Sequence, residues 1–378
     1  MHLASFDIDL FLRDYWQRQP LLIRNPWADW HNPLEPDELA GLACEEGIEA
    51  RLIVHGEQGL ALENGPLPEA RFSSLAGQVY TLLVQAVDHH VPDVAALIDP
   101  FRFMPDWRID DVMVSYAVTG GGVGPHFDQY DVFLVQGLGH RRWRVGPVCD
   151  DTTPLQPHAD LRLLEDFPTV AEWDLGPGDI LYVPPGVAHD GVALSDDCMT
   201  YSVGFRAPSV AELVDGWADH CAAALPEDRR YADPGMGRQG HPAEITAPAL
   251  DRLHSLVLAA LSDRAEFARW FAGHASQPKY PEIDWRPEEA ISLEDVRDLL
   301  AEGAALERNP ASRFAFVRQE AGQVLLAVNG ETYPCAGPTA ELAVQLCDGP
   351  ACSPAADQPV EGLALIAALV NAGALAFV

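Results

Sequence analysis

Lysine is almost missing from this chain: Lys279 is the one lysine among 24 basic residues, and the others are arginine. Against 57 acidic residues this leaves a formal net charge of −33. Sequence-independent binding to nucleic acid draws on a basic surface, so direct contact with DNA or RNA is not expected. A field of this sign steers basic partners toward the protein, and a self-repelling acidic surface also suits a host with high internal salt. Cysteine is present but unorganised. Seven residues, with no Cys-x-x-Cys spacing, argue against a disulfide framework or a zinc site and for a reducing compartment. Long apolar runs are also lacking. The uncharged stretch from Gly362 to Val378 is short and holds Asn371 and Gly373, so a buried helix followed by a strand is expected there rather than a membrane span. The first residues show no basic, apolar leader pattern, and a cytoplasmic protein is expected. At 378 residues and 48% hydrophobic, the chain should form two or three cores.

Three residues carry a chemistry of their own. His126 and Asp128 sit in Gly-Pro-His-Phe-Asp-Gln-Tyr, and His189 closes Pro-Pro-Gly-Val-Ala-His. Two imidazoles and a carboxylate form the ligand set of the facial triad that holds non-haem Fe(II) and leaves positions open. One residue separates His126 from Asp128, which places both on one face of an expected strand. His189 follows the apolar run Ile180-Leu181-Tyr182-Val183, which the prolines 184 and 185 end.

The surroundings read as short strands between glycine and proline turns from about Trp107 to Arg206, the pattern of a closed or double-sheet β body such as a jelly roll. Expected strands cover 111–118, 130–135, 140–145, 179–183 and 199–205. Alanine- and leucine-rich helical periodicity then occupies 209–225, 247–262 and 263–275. After a proline-rich linker, Ser292-Leu-Glu-Asp opens a further helix as a capping-box variant. A hairpin over 313–328, a helix over 338–347 and the apolar C-terminal segment suggest a winged-helix-like module. The fold class is therefore mixed α+β.

Strand parity proposes neighbours for the triad. Tyr130 shares the face of His126 and Asp128. Arg141 shares a face with Trp143 and Val145, where a buried guanidinium needs an anionic partner; a metal-bound dicarboxylate would serve. Asp111, Met113, Ser115 and Ala117 share a face, as do Thr200, Ser202 and Gly204. Asp111 could receive a cationic substrate side chain.

Asp106-Trp-Arg-Ile-Asp-Asp111, Gly120-Gly-Gly-Val-Gly-Pro-His-Phe-Asp-Gln-Tyr130, Arg141-Arg-Trp-Arg-Val-Gly146, Gly178-Asp-Ile-Leu-Tyr-Val-Pro-Pro-Gly186 and Tyr201-Ser-Val-Gly-Phe-Arg-Ala-Pro208 resemble the bacterial JmjC-type ribosomal oxygenases. Within them the sequence is near the arginine hydroxylases of large-subunit ribosomal protein sixteen. The resemblance covers essentially the whole chain. It implies a cupin-like double-stranded β-helix over residues 1–208, a helical dimerisation region over 209–286 and a winged-helix-like domain over 287–378. It further implies Fe(II) on His126, Asp128 and His189, and 2-oxoglutarate on Arg141. The family's second co-substrate contact, a serine, falls on Ala117, with Ser115 two residues earlier on the same face. Asp111, Tyr130 and Ser202 fall in the substrate pocket. The implied activity is hydroxylation of an arginine on a basic large-subunit ribosomal protein by a homodimer. A histidine or a small molecule as target, and a non-catalytic dimeric scaffold, are the other readings.

Overall fold

Alternating apolar positions between glycine and proline turns fold the first half of the chain into two facing antiparallel sheets. The computed structural model describes every residue except Met1, Gln58 and Ala159. In chain order the strands are β1 (Leu21–Ile23), β2 (Ala50–Gly56), β3 (Gly59–Asn64), β4 (Tyr80–Val84), β5 (Ile109–Ala117), β6 (Asp131–Leu138), β7 (Arg141–Val148), β8 (Ala171–Leu175), β9 (Ile180–Val183), β10 (Val187–Ala193) and β11 (Cys198–Phe205). One sheet has the order β1-β9-β6-β11-β5-β4-β2-β3, the other β10-β7-β8. This is the expected double-stranded β-helix.

The pleat sends alternate side chains to opposite faces. Val132, Leu134, Leu181 and Val183 of the large sheet meet Trp143, Val145, Leu175 and Val187 of the small one. Val112, Val114, Phe133, Val135 and Tyr201 face the other way and pack with Phe11 and Leu39. Those two come from helices α1 (Ile8–Asp14) and α2 (Pro36–Leu42). The Asp7 carboxylate caps α1 by accepting from the Leu10 amide at 2.9 Å. Pro36 opens α2, while Glu38 accepts from the Glu35 amide at 2.9 Å. Short helices α3 (Glu69–Ser73) and α4 (Pro92–Ala95) lie in the connections. Residues through Ala207, with Lys279–Trp285 and Asn309–Ala311, make up this compact unit.

One expectation is corrected. The strand drawn through His126, Asp128 and Tyr130 is not there; the ladder begins at Asp131. Gly124 stands at φ +92° ahead of Pro125, and the continuous ladder with β9 and β11 takes up at Asp131. His126 keeps an isolated bridge to His189 instead, and the Asp128 carbonyl accepts from the Gly186 amide at 2.7 Å.

The second compact unit holds Pro208–Pro278, Arg286–Arg308 and Ser312–Val378. The helices α5 (Val210–Ala224), α6 (Ala247–Leu261) and α7 (Arg264–Ala275) expected in 209–286 group here with the C-terminal elements, while Lys279–Trp285 belong to the first unit. Helices α8 (Leu293–Ala301), α9 (Pro338–Gln345) and α10 (Val360–Asn371) complete it with two three-stranded sheets. One sheet joins β13 (Phe314–Arg318), β14 (Val324–Val328) and β15 (Glu331–Cys335). The other joins β16 (Ala351–Cys352), β12 (Leu306–Arg308) and β17 (Leu375–Phe377). Ser292 and Asp295 form the expected reciprocal cap of α8. The uncharged C-terminal stretch is a buried helix and a strand, with Leu363, Ile366 and Leu369 in the core. No helix among the described residues is long and apolar enough to cross a membrane.

Candidate metal centre

The bridge between His126 and His189 brings the distant triad members together. Each donates its amide to the other's carbonyl, at 3.0 Å and 2.8 Å. Their rings stand 4.4 Å apart. Nδ1 of His126 lies 2.8 Å from the Gly124 carbonyl, and Nδ1 of His189 lies 3.0 Å from that of Val187. A proton held there on each ring leaves both Nε2 atoms as lone-pair donors. The Asp128 Oδ2 is 3.9 Å from Nε2 of His126 and 3.6 Å from Nε2 of His189. One ligand atom from each of the three fits within 4.8 Å of the others. Burial, helped by His126, pushes the His189 imidazole down to about 4. A ring unprotonated at neutral pH is ready to ligate. The donor set fits Fe(II) bound on one face.

Deeper between the sheets, Arg141 is 3% exposed and directed inward by its place on β7. Its Nε donates to the Cys198 sulfur at 3.4 Å, and its guanidinium lies 5.7 Å from the Trp143 ring. Among the described residues no carboxylate forms an ion pair with it, and Nη2 is buried without a hydrogen-bond partner. Two more buried donors share that condition, Nε1 of Trp143 and Oγ1 of Thr81. Thr81 stands opposite Ala117 in the β4–β5 register, and Ala117 stands opposite Cys198. These donors therefore line one inward-facing region, whose chemistry fits an anion with several acceptor oxygens.

Models of known families agree: a JmjC domain matches residues 96–213, and a ROXA-like winged helix matches residues 259–376. Ribosomal protein uL16 3-hydroxylase of Escherichia coli is 41% identical over 299 residues, 79% of each chain. The X-ray structure of E. coli ycfD superposes with a TM-score of 0.90 at 36% identity over the whole of both chains. The structure of YcfD in complex with cobalt and 2-oxoglutarate gives 0.88 at 36% identity, covering 100% of this chain and 99% of that one. The chain belongs to the JmjC ribosomal oxygenases. Like them it is a metal- and 2-oxoglutarate-dependent oxygenase, so the readings as a scaffold fall away.

In this ribosomal oxygenase the residues expected at the co-substrate are placed unequally. Ser115 Oγ donates to the Thr200 carbonyl at 3.4 Å, and Ala117 packs on Ala193 and Cys198 with no hydroxyl to offer. Thr81 is placed by the register of β4 on β5, opposite Ala117, and β4, buried on both faces, carries no alternation that would mark it in the sequence.

At the substrate end Asp111 already has a cation beside one of its oxygens: Lys279 Nζ lies 3.0 Å from Oδ2 and 2.9 Å from Asp110 Oδ2. The same Oδ2 accepts from Gln85 Nε2 at 2.9 Å and from the Ala86 amide at 2.8 Å. A carboxylate buried to 3% exposure requires such partners. Tyr130, displaced from the expected strand, lies at a bend and is 43% exposed, in the field of Asp128, Asp111 and Asp110. Ser202 is on the inward face of β11, opposite Met113 of β5.

Proposed function

We propose that this oxygenase hydroxylates an arginine side chain of a basic large-subunit ribosomal protein and works as a homodimer. The observation that carries the arginine assignment is the buried, inward-facing Asp111, in the charged surroundings shared with Asp128 and Tyr130. The printed name of the E. coli relative supports a ribosomal protein as target. The net charge of −33 supports a basic one.

When bound, iron and 2-oxoglutarate supply oxidation by O2: one oxygen atom enters a substrate C–H bond, the other enters succinate, and CO2 leaves. The chain's part is placement. His126, Asp128 and His189 hold the metal, while Arg141 holds the distal carboxylate as a charge-assisted pair. Thr81 takes the position that Ala117 leaves without a hydroxyl. Asp111 offers Oδ1, which takes no hydrogen bond among the described residues. A guanidinium is always charged and carries a planar fork of donors, so it gains more from that oxygen than a neutral imidazole does. Asp111→Ala should therefore depress hydroxylation of an arginine peptide far more than metal or 2-oxoglutarate binding. Normal arginine hydroxylation by that variant, or a wild-type preference for a histidine peptide, would refute the substrate while leaving the oxygenase intact.

A further inference from the structure

We infer that Lys279 is a positioning residue for substrate: its ammonium holds the Asp111 carboxylate in place so that Oδ1 is presented to the incoming guanidinium. This rests on the proposed arginine substrate. The first support is how the two oxygens of Asp111 differ. Oδ2 takes three donors, from Gln85, the Ala86 amide and Lys279. Among the described residues Oδ1 takes none. It faces Gly204, where an added Cβ would come 3.8 Å from it, on the β11 face that also carries Ser202. The carboxylate is thus anchored through one oxygen, and among the described residues no donor takes the other.

The second support is how Lys279 is itself held. It is the only lysine of the chain and reaches Asp110 from 169 residues away. The next residue, Tyr280, donates its hydroxyl to Glu49 at 3.0 Å and sets its ring edge-on to His89. Trp285 packs on His90 at 5.9 Å. These anchors fix residues 279–285 within the first unit and leave the ammonium little freedom. The two carboxylates of Asp110 and Asp111 share this ammonium, at 2.9 Å and 3.0 Å.

The third support is electrostatic. Burial pushes Asp111 up, Lys279 pulls it down, and Asp110 pushes it up again. Asp88, facing it from the turn before α4, is itself raised to about 8 by burial and by Asp111. Tyr130 and Tyr280 are the other titratable groups in the same field. Lys279 is the cation in contact with Asp111, and without it a buried Asp111 would take up a proton and lose its hold on a guanidinium.

The test uses the full-length enzyme with iron, 2-oxoglutarate and an arginine peptide, comparing Lys279→Met, Lys279→Gln and Lys279→Arg. The neutral variants should raise KM for the peptide roughly tenfold, the equivalent of one pH unit in the ionisation of Asp111. They should move the acid limb of kcat/KM to higher pH, because binding then fails as soon as pH falls through a higher Asp111 pKa. The KM for 2-oxoglutarate should stay as in wild type, and Lys279→Arg should restore the peptide KM. In an Asp111→Asn background Lys279→Met should have no further effect on peptide KM. An unchanged peptide KM and pH profile in folded, 2-oxoglutarate-binding variants would overturn the inference. A lowered KM would overturn it too, since Lys279 would then be competing with substrate. If Lys279→Met does not fold, Lys279→Gln carries the same two readouts. A wild-type enzyme inactive on arginine would overturn the functional reading and this inference with it.

Discussion

Arg141 shows how a single side chain can commit a barrel to an anionic ligand. A guanidinium 3% exposed, with a thiol as its bonded neighbour, is costly unless a ligand completes it. Arg141→Ala should raise KM for 2-oxoglutarate by at least tenfold, a change of about 1.4 kcal/mol, while metal binding persists; an unchanged KM would remove Arg141 from the co-substrate. Thr81→Val removes one hydroxyl of the same lining at nearly constant volume. We expect it to weaken 2-oxoglutarate binding severalfold in a direct titration, and Thr81→Ser to retain it; equal affinity in Thr81→Val would show that its buried hydroxyl serves packing alone. The clustering of His126, Asp128 and His189 and the inward place of Arg141 were legible because local patterns carry them: the His-x-Asp motif, a proline-ended apolar run and, for Arg141, strand parity. Lys279 on Asp111 was not legible, since no local pattern predicts a pairing between residues so far apart in the chain.

Elements are tied together around the site by buried polar groups as well as by the apolar cores. Asp131, at the start of β6 and fully buried, accepts from Tyr182 of β9 at 2.6 Å, from Gln17 beyond α1 at 2.9 Å and from Arg108 ahead of β5 at 2.9 Å. It fixes where the ladder begins, three residues after the metal ligand Asp128. Asp131→Ala leaves Arg108 without its buried partner and should destabilise the fold by about 3–5 kcal/mol. Denaturant titration should show a large drop in midpoint, and a loss below about 1 kcal/mol would mean that the network is not what anchors β6. Strands β5, β6, β7, β9 and β11 were readable from alternation and turn residues, whereas β8 and β10 were not. Strands β2 to β4 were not, because β3 is a half-exposed edge and the short β4 is buried on both faces, which hides the period of two. Strict alternation also overextended the strand through Tyr130: an isolated bridge at His126, not a ladder, precedes Asp131.

For the whole molecule, composition and surface point in one direction. Helix α6 has no buried residue, and it exposes Leu250, Leu253 and Val257 at helical spacing. Val210 and Val214 of α5 are exposed as well. Two copies each carrying −33 repel one another, so association through these helices must rest on apolar area and should strengthen with salt. Light scattering at micromolar concentration and moderate salt should give a dimer, and Leu253→Glu with Val257→Glu a monomer; a wild-type monomer would contradict the proposed homodimer. The same charge favours a basic protein as substrate without naming the atom that is oxidised. The most direct test incubates the full-length enzyme with iron, 2-oxoglutarate, O2 and purified large-subunit ribosomal proteins, then maps modifications by tandem mass spectrometry. The account predicts one added oxygen on an arginine of one basic ribosomal protein, dependent on 2-oxoglutarate and lost in His126→Ala. Oxygen found on a histidine, or no oxidised ribosomal protein while 2-oxoglutarate is consumed, would contradict it.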